Sequence, residues 1–145
     1  LMEKGIDFQK IIDDSFFAKT YGQAKLHGRA VLDSVRILDN RCVYTVVTTD
    51  ELREYGCTVK ATDGIVDQLR IIEGIEIAFL LYQTGNPDEY KVSLRTNSAV
   101  DVSRIAQSFG GGGHVKAAGC TMTGEPQEIV EKISGKIREQ WEELK

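Results

Sequence analysis

The apolar positions of this chain change period several times, and each change marks an element. From Asp7 to Ser34 the positions Phe17, Tyr21, Ala24, Gly28 and Val31 recur at intervals of four, three, four and three. That spacing lays them on one face of a helical region. Two β-rich runs follow, Val35 to Leu38 and Cys42 to Thr48, divided by Asp39-Asn40-Arg41. Asp and Asn tolerate turn conformations, so the pair reads as a hairpin. Thr49 to Arg53 reads as a capped helix start that Gly56 ends, and after Asp63-Gly64 a short helix spans Ile65 to Ile72. Gly74 to Tyr82 is apolar at almost every position, which fits a strand buried on both faces.

Past the turn at Gly85-Asn86-Pro87-Asp88, strict alternation returns. It sets Tyr90, Val92, Leu94 and Thr96 on one face and Lys91, Ser93 and Arg95 on the other. Asp101 caps a helix with Val102, Ile105, Ala106 and Phe109 inside, and Gly110 stops it. A short strand near Cys120 to Thr123 precedes a last helix entered through Pro126, with Ile129, Ile133, Ile137, Trp141 and Leu144 along one stripe. The order predicts an α/β (α+β) domain: a mixed sheet of about five strands with helices packed on it, after a helical region over 1–34.

Composition narrows what such a domain does. The 145 residues carry a net charge of −4 and a pI of about 5.2, against the basic face of proteins that hold long nucleic acids by bulk charge. Any nucleotide bound here is small or held by a few focused groups. Cys42, Cys57 and Cys120 lie far apart with no CxxC pair, which points to reduced thiols rather than a disulfide framework or a zinc site. No membrane span and no signal peptide are visible, so a cytoplasmic protein is expected. Because Leu1 precedes Met2 inside a helix-like stretch, the chain reads as a piece of a longer protein, with a start at Met2 after one leftover residue as the alternative.

The densest chemistry is GGGGHVKAAG, positions 110 to 119. Four consecutive glycines cost backbone entropy and have no evident packing purpose in the sequence. Their N–H groups can converge on an anion with no side chain in the way. Val115 to Ala118 is expected to form a helical turn whose N-terminus adds donors, with His114 and Lys116 at the rim. A flexible loop, or a helix C-cap followed by a turn, is the plainer reading of such a run. No Gly-Lys-Ser/Thr follows and no GxGxxG register fits, so neither the ATPase loop nor the dinucleotide fingerprint is present. Arg95, at a strand end on the polar face, has the planar fork that suits bidentate phosphate binding. His27 reads as structural.

The stretch KVSLRTNSAVDVSRIAQSFGGGGHVKAAG, positions 91 to 119, closely resembles the C-terminal DHH-associated domain of the DHH phosphoesterase superfamily. The ordered set of an SLR strand end, a DVSRIA helix, FGGGGH and AAG carries the likeness, and upstream KLHGRAVL, VYTVV and DGIVDQLRIIEGIEIAFLL agree with it. It looks most like members that degrade very short RNA and dephosphorylate phosphoadenosine phosphate. The resemblance implies that 35–145 is the substrate-binding domain and 1–34 a helical linker from an N-terminal catalytic DHH domain. That domain would carry two manganese ions. Carried over by position, Arg95, Thr96, Gly111, Gly112, Gly113, His114 and Lys116 would hold the substrate phosphate. Thr96 stands where the family often has serine, and keeps the hydroxyl.

One departure decides the enzymology. The only histidines are His27 and His114, so no DHH motif is present. Two-metal catalysis needs several carboxylate and imidazole ligands around ions about 3.5–4 Å apart. The fragment alone is therefore expected to be inactive, with no metal or cofactor of its own. Expected partners are short RNA, a dinucleotide or nucleotide phosphate and its own DHH domain; a homodimer is left open. Alternatives are a RecJ-type single-strand exonuclease, a cyclic-dinucleotide phosphodiesterase, and the non-catalytic tRNA-binding domain that ends alanyl-tRNA synthetases.

Overall fold

A computed structural model describes residues 19–145. The helical reading over 7–18, Phe17 included, lies outside the described residues. Among the described residues five α-helices surround one six-stranded mixed sheet: α1 (Tyr21–Leu32), β1 (Val35–Ile37), β2 (Cys42–Val47), α2 (Thr49–Glu54), α3 (Ile65–Arg70), β3 (Ile77–Gln83), β4 (Glu89–Thr96), α4 (Val102–Ser108), β5 (Gly112–His114), β6 (Ala117–Thr123) and α5 (Pro126–Glu143). The spatial order is β1-β2-β3-β4-β6-β5, with β2 and β3 parallel and every other pair antiparallel.

The sheet has two dissimilar faces. On one, Phe79, Leu81, Val92 and Leu94 meet Ile105 of α4 and Ile129, Ile133 and Ile137 of α5 in one core. The three α5 isoleucines are fully buried, each contributing about 1.5–3 kcal/mol relative to exposure. On the other face, α1 and α3 bury Leu26, Ala30, Ile65 and Leu69 against Val43, Val47, Ala78 and Leu80. Those contacts lie over β2 and β3. The same face of β4, β6 and β5 carries Lys91, Ser93 and Arg95, then Ala117, Gly119 and Thr121, then Gly112 and His114. None of these belongs to either core, so this half of the sheet is an open floor.

One expectation needs correction. In α1 the buried face is Leu26, His27 and Ala30, while Tyr21, Ala24 and Gly28 are exposed. The inward stripe there includes the polar His27, and apolar spacing alone selected the wrong face. The expected mixed sheet of about five strands with helices packed on it is present; its sixth strand is β5, which the glycine run itself supplies.

His27 is buried and bonded at both ring nitrogens. Its Nε2–H donates to the Ala61 carbonyl at 2.7 Å, and its Nδ1 accepts from the Gln68 amide at 2.8 Å. Burial, the largest cause, lowers its pKa below the ordinary 6.5. The unfolded chain then takes up the proton first as pH falls. Stability is full above about pH 6.5 and declines as pH drops toward the lowered native value. Urea midpoints measured from pH 7.5 to 5 should fall for the natural chain. In His27→Gln they should start lower and change less; parallel profiles would remove His27 as the cause.

Candidate functional site

The elements around the glycine run are fixed by α4. Asp101 caps that helix, its Oδ1 accepting from the Ser103 N–H at 2.9 Å and the Arg104 N–H at 3.3 Å. Gln140 of α5 grips the same residue through two hydrogen bonds of 2.9 Å, donating to the Asp101 carbonyl and accepting from its N–H. At the other end Gly110 adopts φ +86°. Its N–H donates to the Gln107 carbonyl at 3.1 Å, and the Gly111 N–H donates to that of Ala106 at 2.8 Å. These are the two bonds of a Schellman C-cap.

The expected cradle of converging N–H groups is thus divided. Two of the four glycine donors close the helix, and Gly112 and Gly113 enter β5. The expected helical turn over Val115 to Ala118 is absent as well: Val115 and Lys116 link β5 to β6, and Ala117 already pairs with His114. The glycines do have a packing purpose. A Cβ on Gly111 would lie 2.2 Å from the Gly119 carbonyl oxygen, and one on Gly113 would lie 2.7 Å from the Ala118 Cα. Missing side chains let β5 lie close on β6 directly after the helix.

The hairpin brings Arg95 and His114 to one row. Arg95 pairs with Ala117 across β4–β6, and Ala117 pairs with His114 across β6–β5. Registered neighbours carry their side chains on the same face, so Arg95 and His114 stand on either side of Ala117 on the open floor. Two strand spacings of about 4.8 Å put their backbones ~10 Å apart, which leaves room for a tetrahedral anion above Ala117. The next row along the face is Ser93, Gly119 and Gly112.

Each flanking group is oriented in advance. Arg95 is 28% exposed; its Nε donates to Asp67 Oδ1 at 3.3 Å and one terminal nitrogen donates to the Leu94 carbonyl at 3.0 Å. Among the described residues its other terminal nitrogen has no partner. Asp67 also holds Arg70 at 3.0 Å, so one carboxylate lies between two guanidinium groups. The His114 Nδ1 accepts the Lys116 N–H at 3.2 Å, which leaves Nε2 as the protonated nitrogen of the neutral ring and a directed donor.

Not every expected group reaches this face. Thr96 is 2% exposed on the opposite side, where its hydroxyl bonds Ser98 at 3.0 and 3.1 Å. Lys116 extends its ammonium to the Ser98 carbonyl at 3.3 Å, away from the row. Asp67, Ala117 and Gly119 escaped the sequence reading. The β4 alternation marked Lys91, Ser93 and Arg95, but nothing in the glycines announced a strand pairing that would add the rest. All three cysteines are free; burial pushes the Cys42 thiol up to about 12 and raises that of Cys120, so neither is a ready nucleophile. Among the described residues no three His, Cys, Asp or Glu side chains converge as a metal site, and no helix is long and apolar enough to cross a membrane.

Residues 39–142 match the DHHA1 domain. Over 96 residues, 66% of this chain, it is 31% identical to the bifunctional oligoribonuclease and PAP phosphatase NrnA of Thermus thermophilus, of which that stretch is 29%. A 40-residue segment, 27% of this chain, is 55% identical to oligoribonuclease NrnB of Bacillus subtilis and covers 10% of it. The crystal structure of an exopolyphosphatase-related protein from Bacteroides fragilis superposes on 95% of this chain and 40% of its own with a TM-score of 0.82 at 22% identity, a likeness of fold. The matched segments span less than a third of the curated relatives' length. With a family match that covers most of its length, the chain belongs to the DHHA1 domain family.

Proposed function

We propose that this chain is the substrate-binding part of a cytoplasmic, manganese-dependent DHH-family phosphoesterase acting on short RNA and phosphoadenosine phosphate. The observation that carries the reading is the row Arg95–Ala117–His114 on an otherwise uncovered sheet face. A guanidinium fork and an Nε2–H donor come from the strands on either side of Ala117, whose small methyl leaves the space between those strands open, an arrangement that suits a nucleotide phosphate. Gly112 and Gly119 keep the adjacent floor flat enough for a sugar or base to lie against the strands. Names of the relatives, an oligoribonuclease and PAP phosphatase among them, favour that ligand class.

In this reading the binding face supplies orientation and charge complementarity, while bond cleavage belongs to a companion domain that holds the metal ions. The test is calorimetric titration of the chain with phosphoadenosine phosphate and with a dinucleotide. Binding that weakens in both Arg95→Ala and His114→Ala supports the assignment; unchanged binding in both sinks it. Hydrolysis of either ligand by the chain alone with manganese would contradict the division of labour.

A further inference from the structure

The open face does not end at the row that holds Arg95. Two residues back along β4 comes the row of Ser93, Gly119 and Gly112, and two further back that of Tyr82, Lys91 and Thr121. A cavity of about 420 Å³ lies there, lined among others by Lys91, Ser93, Gly119, Thr121 and Tyr82. Its size is within the range of small-molecule sites.

Lys91 is the cation of this cavity. It is exposed, and among the described residues its ammonium makes no ion pair or hydrogen bond. Glu89, the next residue on the same side of β4, is already engaged: its Oε1 accepts from the Thr84 hydroxyl at 2.7 Å and the Asn86 amide at 3.4 Å. The Thr121 side chain stands opposite Lys91 in register, so an ammonium and a hydroxyl project from adjacent strands into one space. Between this row and Arg95 the floor is Ser93 and two glycines, with nothing within 4 Å of where a Gly112 Cβ would be. Lys91 lies four residues from Arg95, ~13 Å along the strand, and the two long side chains shorten that gap from both ends. The interval accommodates one nucleoside with a phosphate at each end.

We propose that Lys91, with Thr121, forms a second phosphate subsite, so that the face binds two consecutive phosphates of one short strand with the intervening nucleoside over the glycine floor. The subsite rests on the reading of Arg95 and His114 as the first phosphate site. It gives the chain a preference for a dinucleotide over a mononucleotide without a base-specific contact.

Affinity for adenosine 5′-monophosphate and for the 5′-phosphorylated dinucleotide pApA separates the possibilities, measured on the natural chain and on Lys91→Ala, Lys91→Glu and Arg95→Ala. Lys91→Ala should weaken pApA about three- to five-fold and Lys91→Glu more, with the monophosphate changed less than about two-fold. The salt dependence of pApA binding should become shallower by about 0.7 in log–log slope in Lys91→Ala, and that of the monophosphate should not change. If Arg95→Ala weakens both ligands while Lys91→Ala changes neither, or both alike, the second subsite is wrong and the first stands. If Arg95→Ala weakens neither ligand, the first site is wrong and the second falls with it.

Discussion

Arg95→Ala is expected to lower affinity for a nucleotide phosphate by about ten- to a hundred-fold while leaving the melting temperature nearly unchanged. The first part follows from losing a charged, two-pronged donor, worth about 1.5–3 kcal/mol when it meets an anion. The second follows from where Arg95 sits. Its partner Asp67 keeps Arg70 at 3.0 Å, so no buried charge is left alone, and Arg95 itself is 28% exposed. Surface changes of that kind stay within about 0.5 kcal/mol. Arg95→Lys should recover little of the binding, because an ammonium can neither reach Asp67 and an anion together nor present a planar fork. Calorimetry and thermal melts on the three proteins check this; a variant that binds normally, or one that unfolds, overturns the assigned role.

Gly111→Ala should act in the opposite sense, on the fold first. The added methyl would sit 2.2 Å from the Gly119 carbonyl oxygen and 2.7 Å from the Cys120 Cα, both backbone atoms that cannot rotate aside. Overpacking of this kind costs about 3 kcal/mol, or ~10 °C in melting temperature for a domain of this size. Gly112→Ala is the matched control, since a Cβ there meets nothing within 4 Å. Its stability should change by less than about 1 kcal/mol. Equal melting temperatures for the two variants would show that β5 does not need its close approach to β6.

These two residues also show how far the sequence could be read. Arg95 was legible because β4 alternates strictly and its end is marked by polar residues, and the capping of α4 by Asp101 was legible for the same local reasons. The glycine run was visible as a special segment, but its geometry was not. A strand is recognised by what its side chains bury, and glycine buries nothing, so β5 left no periodic trace. Its pairing depends on β6 being seven residues long, which the small residues Ala117 to Gly119 concealed. The row Arg95–Ala117–His114 follows from that pairing, so the site could be named residue by residue and not assembled. Thr96 and Lys116 went the other way: the family resemblance suggested Thr96 and the glycine run suggested Lys116, and in the structure both side chains turn away from that row. In α1, the polar His27 lies on the buried side because Ala61 and Gln68 satisfy it, a long-range arrangement with no local signal.

The central claim is that phosphate binds on the open sheet face between Arg95 and His114. Backbone amide chemical shifts of the chain, followed by NMR during titration with phosphoadenosine phosphate, test it most directly. The largest saturable shifts are expected at Arg95, His114 and Ala117, extending to Ser93 and Gly119, with no comparable change on α5. Saturable shifts centred elsewhere, with that row unmoved at full occupancy, would contradict it.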